Sequence, residues 1–173
     1  MIRYLCVSAI LACTVSILPC GNAVAAPRVN PLRFFEGSTE TAGVMNVIMR
    51  KPYHVTNTGR GTIGSDGALI LVQQVRTEGQ PPKQRVWRIR QVGAGRYSGT
   101  MSEAVGPVAI DEVGDRYRFR FKLPGGLSAE QWLKPSSDGT SGQSTLTVRK
   151  FGLIVARSNS TIRRTSREAR ILP

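Results

Sequence analysis

Few side chains in this sequence could carry covalent or metal chemistry. His54 is the sole histidine, so a Ser-His-Asp relay would have to be built on it with an orienting acid and an activated serine. No Gly-x-Ser-x-Gly elbow supplies that serine. Flanked by Tyr53 and Val55, His54 reads as a half-buried or surface strand residue, and no catalytic residue is assigned. The cysteines, Cys6, Cys13 and Cys20, all lie in the first twenty residues. One histidine without cysteine would leave carboxylates to complete a zinc site, so no metal is expected. Asp111, Glu112 and Asp115 cluster, with Glu36, Glu40 and Glu103 scattered. A glycosidase pair needs a set separation across a cleft, whereas the cluster reads as turn residues that offset adjacent arginines. Gly59-Arg60-Gly61-Thr62-Ile63-Gly64 spells the dinucleotide fingerprint, which works only between a strand and a helix N-terminus. Here it leads through Ser65-Asp66-Gly67 into another strand, so no cofactor is expected.

What remains is non-covalent chemistry. From Arg116 to Leu123 the residues alternate: Arg116, Arg118, Arg120 and Lys122 fall on one face, and Tyr117, Phe119, Phe121 and Leu123 on the other. Arg88 and Arg90 oppose Trp87 and Ile89 in the same way. If their strands are neighbours, Arg88, Arg90, Arg116, Arg118, Arg120 and Lys122 form a stripe suited to phosphates of an anionic envelope surface. Readers of single-stranded nucleic acid place aromatics on the basic face; here the rings point the other way, so no nucleic acid is expected. The inward set, Trp87, Tyr97, Tyr117, Phe119, Phe121 and Trp132, either packs a core or lines a cavity for one small apolar ligand.

These residues need strands to position them, and strand-like segments recur at Val44–Met49, Tyr53–Ile63, Ala68–Arg76, Gln84–Val92, Arg96–Glu103, Val108–Val113, Arg116–Leu123, Ser144–Phe151 and Leu153–Ser158. Ser65-Asp66-Gly67, Gly93-Ala94-Gly95 and Gly114-Asp115 separate neighbours, a spacing that suits hairpins because parallel crossovers need a dozen or more residues. The expected fold is all-β, an antiparallel up-and-down meander closing into a lipocalin-like, calycin-type barrel, since closure removes exposed edges. One short helix is expected at Leu127–Lys134, where Ser128 and Gln131 have capping-box spacing and Pro135 ends the run; the alternative is a bent strand carrying Trp132 into the barrel mouth. Residues 135–144 read as a flexible loop. The barrel domain spans 26–160, and 161–173 form a basic tail with Arg163, Arg164, Arg167 and Arg170.

The N-terminus has the layout of a secretory signal: Arg3, an apolar run from Tyr4 to Leu18, and Ala23-Val24-Ala25 as the small-x-small cleavage pattern. Cutting after Ala25 removes 25 of 173 residues, every cysteine and one base, leaving 148 residues with 23 bases against 11 acids, net +12. That length suffices for a core without disulfides. A retained anchor would need an apolar run of ~20 residues. Lipidation would use Cys13, which leaves a very short apolar core, or Cys20, which follows an unfavourable proline. The expected location is periplasmic or secreted.

Leu32-Arg33-Phe34-Phe35-Glu36-Gly37-Ser38-Thr39-Glu40, Arg85-Val86-Trp87-Arg88-Ile89, Tyr97-Ser98-Gly99, Gly106 and Arg116-Tyr117 together resemble domain of unknown function family 3833, bacterial envelope proteins of which many look like lipoproteins. The resemblance covers Leu32 to Thr161. It implies a lipocalin-like barrel in the cell envelope and carries over no catalytic residue. The chain departs from the lipoprotein pattern in lacking a convincing lipobox. Taken together, the residues lead to two expectations: a non-enzymatic envelope protein holding a lipid-like molecule, or an interaction protein gripping anionic surfaces through its basic face.

Overall fold

In the computed structural model, which describes residues 29–165, one turn of helix, α1 (Pro31–Phe34), precedes ten strands: β1 (Gly37–Val47), β2 (Tyr53–Ile63), β3 (Leu69–Thr77), β4 (Lys83–Gly93), β5 (Arg96–Met101), β6 (Val108–Val113), β7 (Arg116–Leu123), β8 (Leu127–Pro135), β9 (Ser141–Lys150) and β10 (Leu153–Thr165). Each strand pairs antiparallel with the next, and β1 also pairs with β10, so the meander closes into the expected up-and-down barrel. The leader expected at 1–25, with its cysteines, and Arg167 and Arg170 of the expected basic tail lie outside the described residues.

The two-residue rhythm sets which side chains enter. Paired residues share a face, so Phe119 of β7 enters beside Ile110 of β6 and Gln131 of β8, while Arg118 leaves beside Asp111 and Trp132. The helix expected at Leu127–Lys134 is strand β8 instead. Leu127, Ala129, Gln131 and Leu133 face inward with β7 partners, and this alternation between two paired strands outweighs the Ser128/Gln131 spacing. Ten strands form where nine segments were expected, and β10 continues through Arg163 and Arg164 to Thr165, five residues past the expected domain end. The supposed loop at 135–144 is a tight turn: Asp138 accepts from Thr140 N and Oγ1 at 3.0 and 2.8 Å, and β9 begins at Ser141.

One end of the barrel is plugged. Asn30 caps α1 by accepting from Leu32 N at 2.8 Å, and Pro31 sits where a missing N–H costs nothing. Leu32, Phe34 and Phe35 are buried beneath it. Their seat requires Gly61: a Cβ there would lie 1.9 Å from the Phe35 carbonyl oxygen. Tyr117 Oη donates to Val29 O at 2.8 Å and ties the incoming chain to this end.

The interior is asymmetric. Around β4 to β8 it is filled by rings and branched chains, with Trp87 edge-on to Phe119 and Phe121 at 6.4 and 5.9 Å, and Tyr97 edge-on to Tyr117 at 6.2 Å. Around β1, β2, β9 and β10 many inward residues are small or polar, among them Thr41, Gly43, Asn57, Ser144, Ser158 and Ser160, and space is left between them and the inward Met45, Val55, Leu146 and Ile162.

Candidate ligand cavity

The cavity arises where small residues coincide on neighbouring strands. Gly43 of β1 sits opposite Ser160 of β10, and Ser160 opposite Ser144 of β9; Met45 and Leu146 flank Ser158. Hydroxyls and a hydrogen thus stand where leucine or phenylalanine would fill a barrel, leaving a cavity of about 280 Å³, near the lower end of the ~300–1,000 Å³ typical of small-molecule sites. Its far wall is Leu71, Gln73, Trp87, Ile89, Phe119 and Gln131, and Phe35 of the plug also lines it.

Polar atoms in this wall are held in place. Trp87 Nε1 donates to Gln73 Oε1 at 2.9 Å, and Gln131 Nε2 to Ser144 Oγ at 2.8 Å. Asn57, also in the wall, differs: its Oδ1 is buried with no hydrogen-bond partner.

The mouth, at the end opposite the plug, is basic. Lys83 and Arg85 pair with Val75 and Gln73, both inward residues, and so they line the cavity. Glu103, just past β5, pairs with both. Burial pushes the Glu103 carboxyl upward, but hydrogen bonds from Arg85 and then Lys83 outweigh it and hold the group below its ordinary value. The three together keep one net positive charge at the entrance.

Of the residues expected to line a cavity, Trp87 and Phe119 do so. Tyr97, Tyr117 and Phe121 are buried on the packed side. There burial, and then the Glu112 carboxylate, raises the Tyr97 phenol above its usual value. Trp132 corrects the expectation outright: it shares the outer face with Arg118, and the guanidinium carbons of Arg116 and Arg118 lie 5.3 and 5.7 Å from its ring centre. Sequence reasoning missed Lys83, Arg85 and Glu103. Continuing the Trp87/Ile89 alternation two steps backward would have turned Lys83 and Arg85 inward.

The outer basic residues do not form one stripe. β4, carrying Arg88 and Arg90, is separated from β7, carrying Arg116, Arg118, Arg120 and Lys122, by β5 and β6. Asp111 stands between them, 2.7 Å from Arg120 and 3.6 Å from Arg118; Asp66 holds Arg88 at 2.6 Å. Asp115 lies 2.7 Å from Lys134 and 3.7 Å from Arg116, and the Lys134 hydrogen bond, foremost, holds its carboxyl below the usual range. The acidic cluster thus offsets arginines, as its turn-like spacing suggested. His54 is exposed on the outer face opposite Val44, away from the cavity. The glycines at 59 and 61 point into the barrel from β2, where they admit Thr39, Leu71 and the plug; no helix follows them.

These features define a closed, ten-stranded up-and-down barrel with one plugged end and an open, polar-rimmed cavity. The chain belongs to the family described as protein of unknown function (DUF3833), whose model matches residues 8–164. No curated protein matches it in sequence. Among solved structures it is similar to the S-type phycobiliprotein lyase CPES from Guillardia theta (10% identity, TM-score 0.59, 78% of this chain and 90% of that one). It is also similar to Rv2717c from M. tuberculosis (14%, 0.57, 78% and 94%) and to a protein of unknown function from the DUF3598 family of Nostoc punctiforme (12%, 0.58, 84% and 53%, so about half of that chain is spanned). At such identities the likeness is one of fold.

Proposed function

We propose that the protein is an exported, non-catalytic carrier that holds one small amphipathic molecule with an acidic head in this cavity. The observation that carries the reading is the inward turn of Lys83 and Arg85 at the mouth of a cavity whose far wall is Leu71, Trp87, Ile89 and Phe119. An acid group at the entrance would meet two cations, while an alkyl or ring body would contact the apolar wall at about 25 cal/mol for each Å² removed from water. Glu103 occupies the cations when the ligand is away, so binding exchanges one carboxylate for another instead of uncovering charge. The activity named for the Guillardia theta protein is not carried over, because the likeness to it is one of fold. A periplasmic or secreted location rests on the Ala23-Val24-Ala25 leader pattern.

Trp87 reports on the cavity directly. In a Trp132→Phe background, titration with a medium-chain fatty acid should change Trp87 emission saturably, and Lys83→Ala with Arg85→Ala should weaken the binding roughly tenfold or more. Emission unaffected by the fatty acid would overturn the reading of an acidic head and apolar body.

A further inference from the structure

The open end carries a second feature that a ligand cavity does not require. The β1–β2 and β9–β10 hairpin tips lie side by side, since Val47 pairs with Ala156 and Ile48 N donates to Val155 O at 2.9 Å. Both tips project apolar side chains into water: Met49 is 98% exposed, Phe151 88%, Leu153 73% and Ile48 62%. Arg50, Lys51, Arg149 and Lys150 flank them, and neither tip, across 47–53 and 149–155, contains an acid. Lys150 Nζ lies 5.7 Å from the Phe151 ring centre.

The backbone makes these side chains harder to dismiss. Met49 and Phe151 sit at φ 59° and 50°, the only non-glycine residues with positive φ among those described. Phe151 and Gly152 (φ 82°) form the two-residue loop between the paired Lys150 and Leu153, a turn whose first position favours asparagine or glycine. A bulky side chain in the left-handed region is unfavourable. Here both such positions are given to large apolar residues at the tips, ringed by cations.

We propose that this rim docks onto an anionic lipid bilayer, with Met49, Phe151, Leu153 and Ile48 entering the headgroup–acyl boundary and Arg50, Lys51, Arg149 and Lys150 resting among the anionic headgroups. Charge complementarity selects this partner: an apolar patch flanked by Arg50, Lys51, Arg149 and Lys150, with no acid within either tip, suits a negatively charged interface. The docking rests on the tips alone. A further consequence, that the cavity then opens against the membrane and exchanges its ligand there, rests on the carrier reading above, because Lys83, Gln80 and Tyr53 line the cavity at the same end.

The test uses the protein recovered from cells expressing the whole sequence, wild type and variants side by side, in sedimentation with vesicles of phosphatidylcholine alone or mixed with phosphatidylglycerol. Wild type should sediment with the mixed vesicles and weakly with the neutral ones. Met49→Ser with Phe151→Ser should reduce sedimentation roughly tenfold or more without lowering the melting temperature. A Phe151→Trp variant should gain a blue-shifted emission component on mixing with anionic vesicles. No sedimentation, equal sedimentation with neutral vesicles, sedimentation indifferent to the tip substitutions, or an unshifted Phe151→Trp spectrum would each overturn the docking. None of these substitutions touches the cavity, so docking can fail while fatty-acid binding persists, and the reverse.

Discussion

Trp87 Nε1 donates a 2.9 Å hydrogen bond to Gln73 Oε1 across adjacent strands β3 and β4, both side chains buried and both in the cavity wall. The bond fixes the indole on the cavity wall and satisfies its only polar side-chain atom. Gln73→Leu should therefore cost about 1–3 kcal/mol by leaving a buried N–H unpaired, measured by urea denaturation, and should blur the cavity's fluorescence response. A variant as stable as wild type would mean that Trp87 is held by packing alone.

Glu103 should set both acid stability and ligand affinity. Its carboxyl lies below its ordinary value in the folded protein, so its stabilising contribution is full above the unfolded value of about 4.3 and is lost as pH falls through the lower folded value. Glu103→Gln should flatten that acid limb in urea titrations repeated between neutral pH and pH 3. It should also raise fatty-acid affinity several-fold at neutral pH, because Lys83 and Arg85 lose their internal carboxylate. Weaker binding in Glu103→Gln would contradict the exchange.

Gly61 is where the plug meets the barrel wall. Gly61→Ala would set a Cβ against the Phe35 carbonyl, a backbone group that cannot swing away, and should cost roughly 1–3 kcal/mol in urea denaturation as α1 shifts. An unchanged midpoint would show the plug to be loosely seated.

Phe151→Asn should raise stability by about 1 kcal/mol, since asparagine tolerates the left-handed region that phenylalanine resists. The same substitution should impair vesicle binding. Unfolding midpoints and sedimentation, measured on one preparation, check both halves.

Legibility in the sequence followed bulk. β7 was plain because Tyr117, Phe119 and Phe121 alternate with Arg116, Arg118 and Arg120; the hairpin spacing pointed to the antiparallel meander, and the need to remove exposed edges to its closure. The parts overlooked were the first half of β1 and the end of β10, where Thr39, Thr41, Gly43 and Ser160 face inward. Where successive inward positions are threonine, glycine or serine, the large-apolar alternation that reveals a strand is lost. The cavity was for that reason sought among the aromatics, of which Trp87 and Phe119 form its far wall while Tyr97, Tyr117 and Phe121 fill the other half of the barrel. Trp132 was placed in the barrel mouth by the bent-strand alternative to the helix; with Leu127–Pro135 a regular strand paired to β7, its even positions, Trp132 among them, face out.

Filling the empty half should separate fold from function. Ser158→Leu, on the cavity side of β10, should change stability by less than about 1.5 kcal/mol because it enters unoccupied space, yet abolish the Trp87 response to fatty acid. Retained binding would place the ligand elsewhere.

The carrier reading is tested most directly by native mass spectrometry of the protein purified without added ligand, comparing native and denatured masses. Wild type should carry a small excess mass that disappears on denaturation, and Ser158→Leu should carry none. Equal native and denatured masses for wild type, or the same excess in both proteins, would contradict a ligand held inside the barrel.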